Sequence, residues 1–195
     1  MILGLTGGFG CGKSSVLRFF EYHFWFTLDA DAVCRDFYEM HHPLLMSCIE
    51  REFGSDMFTS DGNVDRKKLG EILFEYPEKM QLITGVIYPL LTEKVLTAID
   101  TCRQMNKNGV FELPLLYEAG FDKYFDAVMA VWCPAGLRKE RLQGRNFSAD
   151  EVNRRDKMQI SPDEKLERAD YAVLNTGSRE ELFQQLEKLL KNIEK

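Results

Sequence analysis

The stretch Gly7-Gly8-Phe9-Gly10-Cys11-Gly12-Lys13-Ser14 constrains this chain more than any other. It fits the phosphate-binding pattern Gly-x-x-x-x-Gly-Lys-Ser/Thr without a mismatch. Before it, Met1-Ile2-Leu3-Gly4-Leu5 reads as a short apolar strand; after it, Val16, Leu17, Phe19 and Phe20 recur at helical spacing, predicting a helix from Lys13 to about Tyr22. Strand, glycine loop and helix start in that order are what the motif needs. Glycines let backbone N–H groups turn inward around phosphate oxygens, where the helix dipole adds positive potential. Lys13 would reach the outer phosphates, and the Ser14 hydroxyl would ligate Mg²⁺. The dinucleotide fingerprint fails here, because its third glycine would fall at position 13, which is Lys13.

A phosphate site must be local, because the chain as a whole is acidic, with a net charge of −6. A broad nucleic-acid footprint is not expected on such a surface. With 195 residues, 45% of them hydrophobic, one substantial core and one embellished domain are the simplest expectation. Cys11, Cys34, Cys48, Cys102 and Cys133 are odd in number and scattered, without a CxxC pair or metal spacing. They read as thiols kept reduced. No charged leader precedes a long apolar run, and no stretch of about 18 purely apolar residues occurs. The expectation is a cytoplasmic protein with no membrane partner.

In chain order, His23-Phe24-Trp25-Phe26-Thr27-Leu28 is aromatic and reads as a buried second strand. It ends in Asp29-Ala30-Asp31, followed by a helical pattern. In open α/β sheets chemistry gathers beyond the carboxyl ends of the strands. One of these acids could take a proton from a substrate hydroxyl and the other hold water on a metal. Helix capping by either aspartate is an equally good reading. From about residue 37 to 107 strand patterns vanish and amphipathic helices follow one another. One opens at Pro43, one carries Leu69, Ile72 and Leu73 after the turn Asp61-Gly62-Asn63, and two flank Tyr88-Pro89. His41 and His42 are adjacent, cannot share a helix face, and read as a turn.

Val110-Phe111-Glu112-Leu113 reads as the third strand, Ala127 to Cys133 as the fourth and Ala169 to Asn175 as the fifth. The fourth lacks polar alternation, as in a parallel sheet buried on both faces. Between the fourth and fifth lie Arg138, Arg141, Arg145, Arg154, Arg155 and Arg168, punctuated by capping boxes at Ser148 and Ser161. Arg141 and Arg145 are spaced to share a helix face. A mobile arginine segment of this kind can close on a triphosphate, although the interleaved acids fit a solvated face for most single members. A third capping box at Ser178 starts a last helix that should end near Ile193.

With these pieces in order, the chain resembles the dephospho-coenzyme A kinases. The likeness rests on Gly4 to Ser14, Asp29-Ala30-Asp31, and Asp61-Gly62 leading to Asp65-Arg66 and Leu69. It continues with Pro114-Leu115-Leu116-Tyr117-Glu118, Arg141-Leu142, Arg145, Gln159, Ala169-Asp170, Asn175 and Gly177-Ser178. The resemblance implies an α/β P-loop NTPase-type three-layer fold with a five-stranded parallel sheet, a helical acceptor-binding insert and a helical lid. The core would cover about 1–36, 108–137 and 166–195, the insert about 37–107 and the lid about 138–165. It also implies transfer of the ATP γ-phosphoryl group, with Mg²⁺, to the ribose 3′-hydroxyl of dephospho-CoA, as the last step of coenzyme A biosynthesis. Asp31 would be the general base, with Lys13 and one of the lid arginines, Arg141 or Arg145, as catalytic cations. Gly8, Phe9, Gly10, Cys11, Gly12, Lys13, Ser14 and Ser15 would hold the nucleotide phosphates, and Asn175 and Gly177 would lie near the adenine. Asp29, Asp31, Arg66, Leu115 and Leu116 would meet the acceptor, and Ser14 the metal. A homo-oligomer is left open.

The chain departs from that family's usual pattern at Cys11 and Ser15, where serine and threonine are common. It departs again at Tyr88-Pro89, where His-Pro is usual, and at Glu112, where an aspartate is usual. Another P-loop kinase of nucleosides, nucleotides or small metabolites would share the loop and lid arginines but would not require Asp-Ala-Asp with Pro-Leu-Leu-x-Glu. A GTPase-like switch would need Asn-Lys-x-Asp, and Asn106-Lys107-Asn108-Gly109 lacks the final acid.

Overall fold

β1 (Ile2–Gly7) is buried along its whole length and lies in the middle of the sheet. The computed structural model describes residues 1–193. The other strands are β2 (Phe26–Asp29), β3 (Gly109–Glu112), β4 (Ala127–Trp132) and β5 (Tyr171–Leu174), all parallel, in the order β2-β3-β1-β4-β5. Parallel pairing puts every carboxyl end at one edge. The glycine loop, Asp29, Glu112, Cys133 and Asn175 therefore all emerge there.

The chain divides into two units, Met1–Asp29 with Ala98–Lys195, and Ala30–Thr97. In the first, Leu3, Leu5, Val110, Met129, Val131 and Val173 bury one sheet face. Against them pack Val16, Phe19 and Phe20 of α1 (Lys13–Tyr22) and Leu182, Leu186 and Leu190 of α9 (Arg179–Ile193). The last three recur every fourth residue, as a helix facing a core requires. On the other face Leu116 and Phe125 approach Gly4 so closely that a Cβ there would come within 2.6 Å of each. The short helix α8 (Pro162–Arg168) also packs on β1 and β4. Helices and loops thus cover both faces of the sheet, making three layers.

β2 differs from its sequence expectation. It starts only at Phe26, and it is an edge strand, half-exposed rather than buried. The reason lies in the turn after α1. The N–H groups of Phe24 and Trp25 close onto the Glu21 and Phe20 carbonyls at 3.0 Å each, so these residues leave the ladder. Phe24 sits at φ 62° with 93% of its surface exposed, and Trp25 alone turns inward.

Between β4 and β5 lie α6 (Ala135–Gln143), α7 (Ala149–Lys157) and α8. Ser148, Ser161 and Ser178 each accept a hydrogen bond from the backbone N–H three residues on, at 3.2, 3.0 and 3.2 Å. Glu181 also closes back on the Ser178 N–H at 2.8 Å. The shared face expected for Arg141 and Arg145 does not form. α6 stops at Gln143, Gly144 follows, and the chain turns through Asn146 at φ 62°, leaving Arg145 exposed beyond the helix.

The unit Ala30–Thr97 is helical: α2 (Ala30–Glu39), α3 (Pro43–Phe53), α4 (Arg66–Glu75) and most of α5 (Pro77–Gln104). His41 forms a turn at φ 51° and pairs its Nε2 with Asn63 Oδ1 at 3.0 Å. Gly62, at φ 78°, allows the tight turn that lets Phe58 bridge Val64, and Asp65 then caps α4 by accepting the Lys68 N–H at 3.0 Å. The two helices expected around Tyr88-Pro89 are one, with Pro89 inside it. Proline removes one ladder bond, but Ile83, Ile87, Leu91, Val95 and Ile99 keep an unbroken buried row through it. The Thr92 hydroxyl donates to the Tyr88 carbonyl at 2.7 Å just past the proline. Residues Glu78–Gln104 have a mean hydropathy of 1.5 in their most apolar window, so this helix is long and apolar enough to pass for a membrane span by composition.

Candidate active site

The loop after β1 is held open by three glycines with positive φ: Gly7 at 142°, Gly10 at 85° and Gly12 at 98°. Side chains would also not fit. A Cβ on Gly10 would meet Leu142 Cγ at 2.8 Å and Arg138 Cγ at 3.1 Å, and one on Gly8 would meet Pro162 Cγ at 2.7 Å. A Cβ on Gly12 would run into the Asn175 amide. With Gly12 at its N-cap, α1 begins without any side-chain cap. The Lys13 and Ser14 N–H groups of its first turn are thereby offered to a ligand, at the positive end of the helix dipole.

Lys13 is buried and turned back over the loop, donating from Nζ to the carbonyls of Gly7 at 3.1 Å and Gly8 at 3.4 Å. Its Nζ lies 4.0 Å from Glu112 Oε1, at the end of β3. Ser14 is exposed on the first turn of α1, and Ser15 donates its backbone N–H to the Gly12 carbonyl at 3.0 Å. Cys11 is fully buried. The hydrogen bond from the Cys133 thiol, against the opposing effect of burial, pushes the Cys11 thiol down to about 6 and Cys133 correspondingly up.

Asn175, buried at the end of β5, joins the glycine loop to helix α6. Its Nδ2 donates to the Cys11 carbonyl at 2.8 Å, and its Oδ1 accepts from Arg141 Nη2 at 3.1 Å. Arg141 Nη1 is buried with no hydrogen-bond partner among the described residues. An unmatched buried guanidinium nitrogen is costly, and an anion in the loop would satisfy it. Other arginines between β4 and β5 have occupations of their own. Arg138 forks onto Asp156 at 2.7 and 2.8 Å. Arg155 stacks over Phe9 at 4.5 Å, and Phe9 in turn meets Phe147 edge-on at 5.0 Å. Arg168 covers the Tyr117 ring at 4.1 Å. Arg145 is exposed and Gly177 packs against the Glu181 carboxylate, so neither joins the Arg141–Asn175–Cys11 cluster.

Beyond β3, Leu116 is fully buried beneath Gly4, whereas Leu115 is half-buried. Nothing in the sequence marks Lys165, yet among the described residues it is the most deeply buried charge of the unit, at 0% exposure. It donates to the Pro114 carbonyl and to Gln159 Oε1 at 3.1 Å, and it pairs with Glu118 Oε1 at 3.0 Å. Cys133 likewise carries no sequence signal, because its tie to Cys11 depends on β4 lying beside β1.

Asp29 is the last residue of β2, and Asp31, exposed, falls in the first turn of α2. In the helical unit, Arg66 opens α4 and lies over the Tyr38 ring at 5.2 Å. Both line a cavity of about 180 Å³ with Leu69, Leu73, Phe74 and Met80. Burial pushes the Tyr38 hydroxyl up to about 12, against the opposing pull of Arg66. Among the described residues no group of three or more His, Cys, Asp or Glu side chains forms a metal cage.

The family model described as dephospho-CoA kinase matches residues 1–181. The dephospho-CoA kinase of Bacillus licheniformis is 36% identical over 200 residues, covering 100% of this chain and 99% of its own. That of Enterococcus faecalis is 35% identical over 190 residues, covering 97% and 95%. Among solved structures, TT1252 from Thermus thermophilus matches with a TM-score of 0.81 at 27% identity, covering 98% of this chain and 97% of its own. Shikimate kinase from Acinetobacter baumannii matches at 0.53 and 15% identity over 98% and 93%, a likeness of fold alone.

Proposed function

The chain belongs to the dephospho-CoA kinase family, and we propose that Asp31 is its general base and that Lys13 and Arg141 are the cations meeting the transferred phosphoryl group. The reaction is ATP-dependent phosphorylation of dephospho-CoA at the ribose 3′-hydroxyl, which completes coenzyme A biosynthesis. The observation that carries the residue roles is the joint between loop and lid. Asn175 binds the Cys11 carbonyl and Arg141 together, and the second Arg141 nitrogen stays unmatched.

The backbone of Gly8, Phe9, Gly10, Cys11 and Gly12, with the uncapped first turn of α1, receives the ATP phosphates. Lys13 exchanges the Gly7 and Gly8 carbonyls for phosphate oxygens as the nucleotide enters. Arg141 stabilises charge that develops on the transferring group, where preorganised donors act most strongly. Asp31 takes the proton of the acceptor hydroxyl as that oxygen bonds to the γ-phosphorus of ATP, while the bond from that phosphorus to the β,γ-bridging oxygen breaks and ADP leaves.

A hard divalent ion fits this donor set. The Ser14 hydroxyl offers one oxygen from the first turn of α1, and an ion of this kind would keep waters and nucleotide oxygens as its other ligands. Bound Mg²⁺ supplies charge neutralisation at the phosphates. Asp29, Asp31, Arg66, Leu115 and Leu116 are assigned to the acceptor, Leu116 by fixing its loop from beneath. The unit Ala30–Thr97 is read as acceptor-binding, and residues 138–165 as the lid. Five cysteines with no disulfide fit a cytoplasmic enzyme.

The test is an assay with ATP and Mg²⁺ against dephospho-CoA, adenosine, nucleoside monophosphates and pantothenate, read by mass spectrometry. Dephospho-CoA should gain phosphate fastest. Faster phosphorylation of a nucleoside monophosphate at equal concentration would overturn the acceptor.

A further inference from the structure

A lysine with no exposed surface is rare unless it is fully paired, and Lys165 lies within a turn of a residue that touches the glycine loop. Pro162 and Lys165 are three apart on α8 and so share a face. Pro162 covers Gly8, with its Cγ 2.7 Å from where a Cβ would stand. Lys165 reaches the segment after β3, donating to the Pro114 carbonyl and pairing with Glu118 at 3.0 Å. The Glu118 carboxylate oxygen also accepts the Ile160 N–H at 2.9 Å, and Gln159 Oε1 accepts from Lys165 at 3.1 Å. The Thr6 hydroxyl, at the end of β1, donates to the same Pro114 carbonyl at 3.5 Å. The ammonium therefore has three protein acceptors, matching its three donors.

We propose that Lys165 is a positioning residue for phosphoryl transfer, clasping the Pro114–Glu118 segment to α8 so that the acceptor contact at Leu115 and the roof over Gly8 are held in one geometry. The inference rests on the assignment of Leu115 to the acceptor. Burial alone would push this ammonium toward its neutral form, and the Glu118 carboxylate opposes that, so charge and clasp depend on each other. Removing Lys165 takes the ammonium from a carboxylate whose side chain is 17% exposed, leaving it the Ile160 N–H, and from a backbone carbonyl left with only the long 3.5 Å contact of the Thr6 hydroxyl. These two electron-rich oxygens, gathered by one ammonium, then repel each other, and the carboxylate charge is left without its counter-ion. The loop would then shift relative to α8, although neither Lys13 nor the first turn of α1 loses a contact.

The experiment compares Lys165→Met, which keeps an unbranched chain of similar length, with Glu118→Gln, Lys165→Met/Glu118→Gln and Leu115→Ala. Each variant is assayed for kcat, for KM of each substrate, and for ATP hydrolysed without transfer. Circular dichroism fixes the folded fraction. Lys165→Met should raise the KM for dephospho-CoA by about tenfold or more, as expected for stranding buried hydrogen-bond partners. The KM for ATP should stay within about twofold, because no phosphate contact is removed. The share of ATP lost to water should rise, and the double variant should recover part of the acceptor affinity. If Lys165→Met does not fold, Glu118→Gln carries the same test with the same direction of change. A fall in kcat that merely tracks the folded fraction, with both KM values and the hydrolysis share unchanged, overturns the proposal and leaves Lys165 structural. Leu115→Ala separates the two layers. An unchanged KM for dephospho-CoA in that variant overturns the acceptor assignment itself, whereas a raised one beside a silent Lys165→Met overturns only the clasp.

Discussion

Asp31→Asn replaces one carboxylate oxygen with an amide of the same shape, and because Asp31 lies in the first turn of α2 rather than at its N-cap it loses only a small helix-dipole contribution. Placed in the first turn of α2 and exposed, the side chain has little packing to lose. Turnover should fall about 10²- to 10⁴-fold, the usual worth of a positioned base, with the melting temperature unchanged. Lost stability with retained turnover would make Asp31 a structural residue. Lys13→Ala should lower turnover by about two to three orders of magnitude, the typical effect of deleting one preorganised donor. Near-normal turnover would remove Lys13 from the mechanism. Cys11 stands in positive potential ahead of a helix, a setting that activates a thiol a reagent can reach. The structure places its sulfur in the core against Cys133, while Cys34 is half-exposed. A limiting alkylating reagent should therefore label Cys34 first, and peptide mapping that finds Cys11 labelled ahead of it would contradict this burial. Tyr38 gives a pH prediction. Its hydroxyl is raised from 10.0 to about 12 in the folded chain, so above 10 the unfolded chain loses this proton first. Stability from this group is complete below pH 10 and is lost as pH rises toward 12. In thermal melts, Tyr38→Phe should show a shallower alkaline decline than the parent; parallel declines would mean the hydroxyl is not buried as described.

Helix α6 separates the roles of two arginines. Arg141 lies within it and is joined to Asn175, whereas Arg145 stands past its end in the turn after Gly144. Arg141→Ala should cost more in kcat than Arg145→Ala, and the reverse order would show that Arg145 is the cation brought to the phosphates. The expectation that both arginines share a face followed correctly from helical spacing. It failed because spacing says nothing about where a helix ends, and Gly144 with Asn146 ended this one. Elements whose signals are local were legible: α1 directly after its glycine loop, and three capping boxes that form with the bonds they predict. Elements whose form depends on partners were not. Pro89 reads as a helix boundary, yet a buried row every fourth residue carries α5 through it. The aromatic run at 23–28 reads as buried, yet edge or centre is decided by strand order, which only tertiary pairing fixes.

Across the whole molecule the candidate site divides in the same way. The phosphate loop is contiguous and can be read residue by residue. The Cys11–Asn175 bond joins positions 164 apart in sequence, and no pattern in either segment announces it. Lys165 was invisible for the same reason, since its partners lie 51 residues back at Pro114 and 6 back at Gln159. The two structural units also lead to different expectations for the two substrates. ATP contacts are assigned to the unit built on the sheet, whereas the cavity lined by Tyr38, Arg66 and Leu69 belongs entirely to Ala30–Thr97. Amide hydrogen exchange resolves this, because protection reports local opening segment by segment. A non-hydrolysable ATP analogue with Mg²⁺ should slow exchange across residues 8–16 and at Arg141 and Asn175. Dephospho-CoA alone should slow it in α2 and α4 and around Leu115, with little change in the glycine loop. The asymmetry is the informative part, since general stiffening on binding would protect both units with either ligand. If dephospho-CoA leaves Ala30–Thr97 unprotected, that unit is not the acceptor-binding one, and the acceptor must be held by the segment after β3 alone.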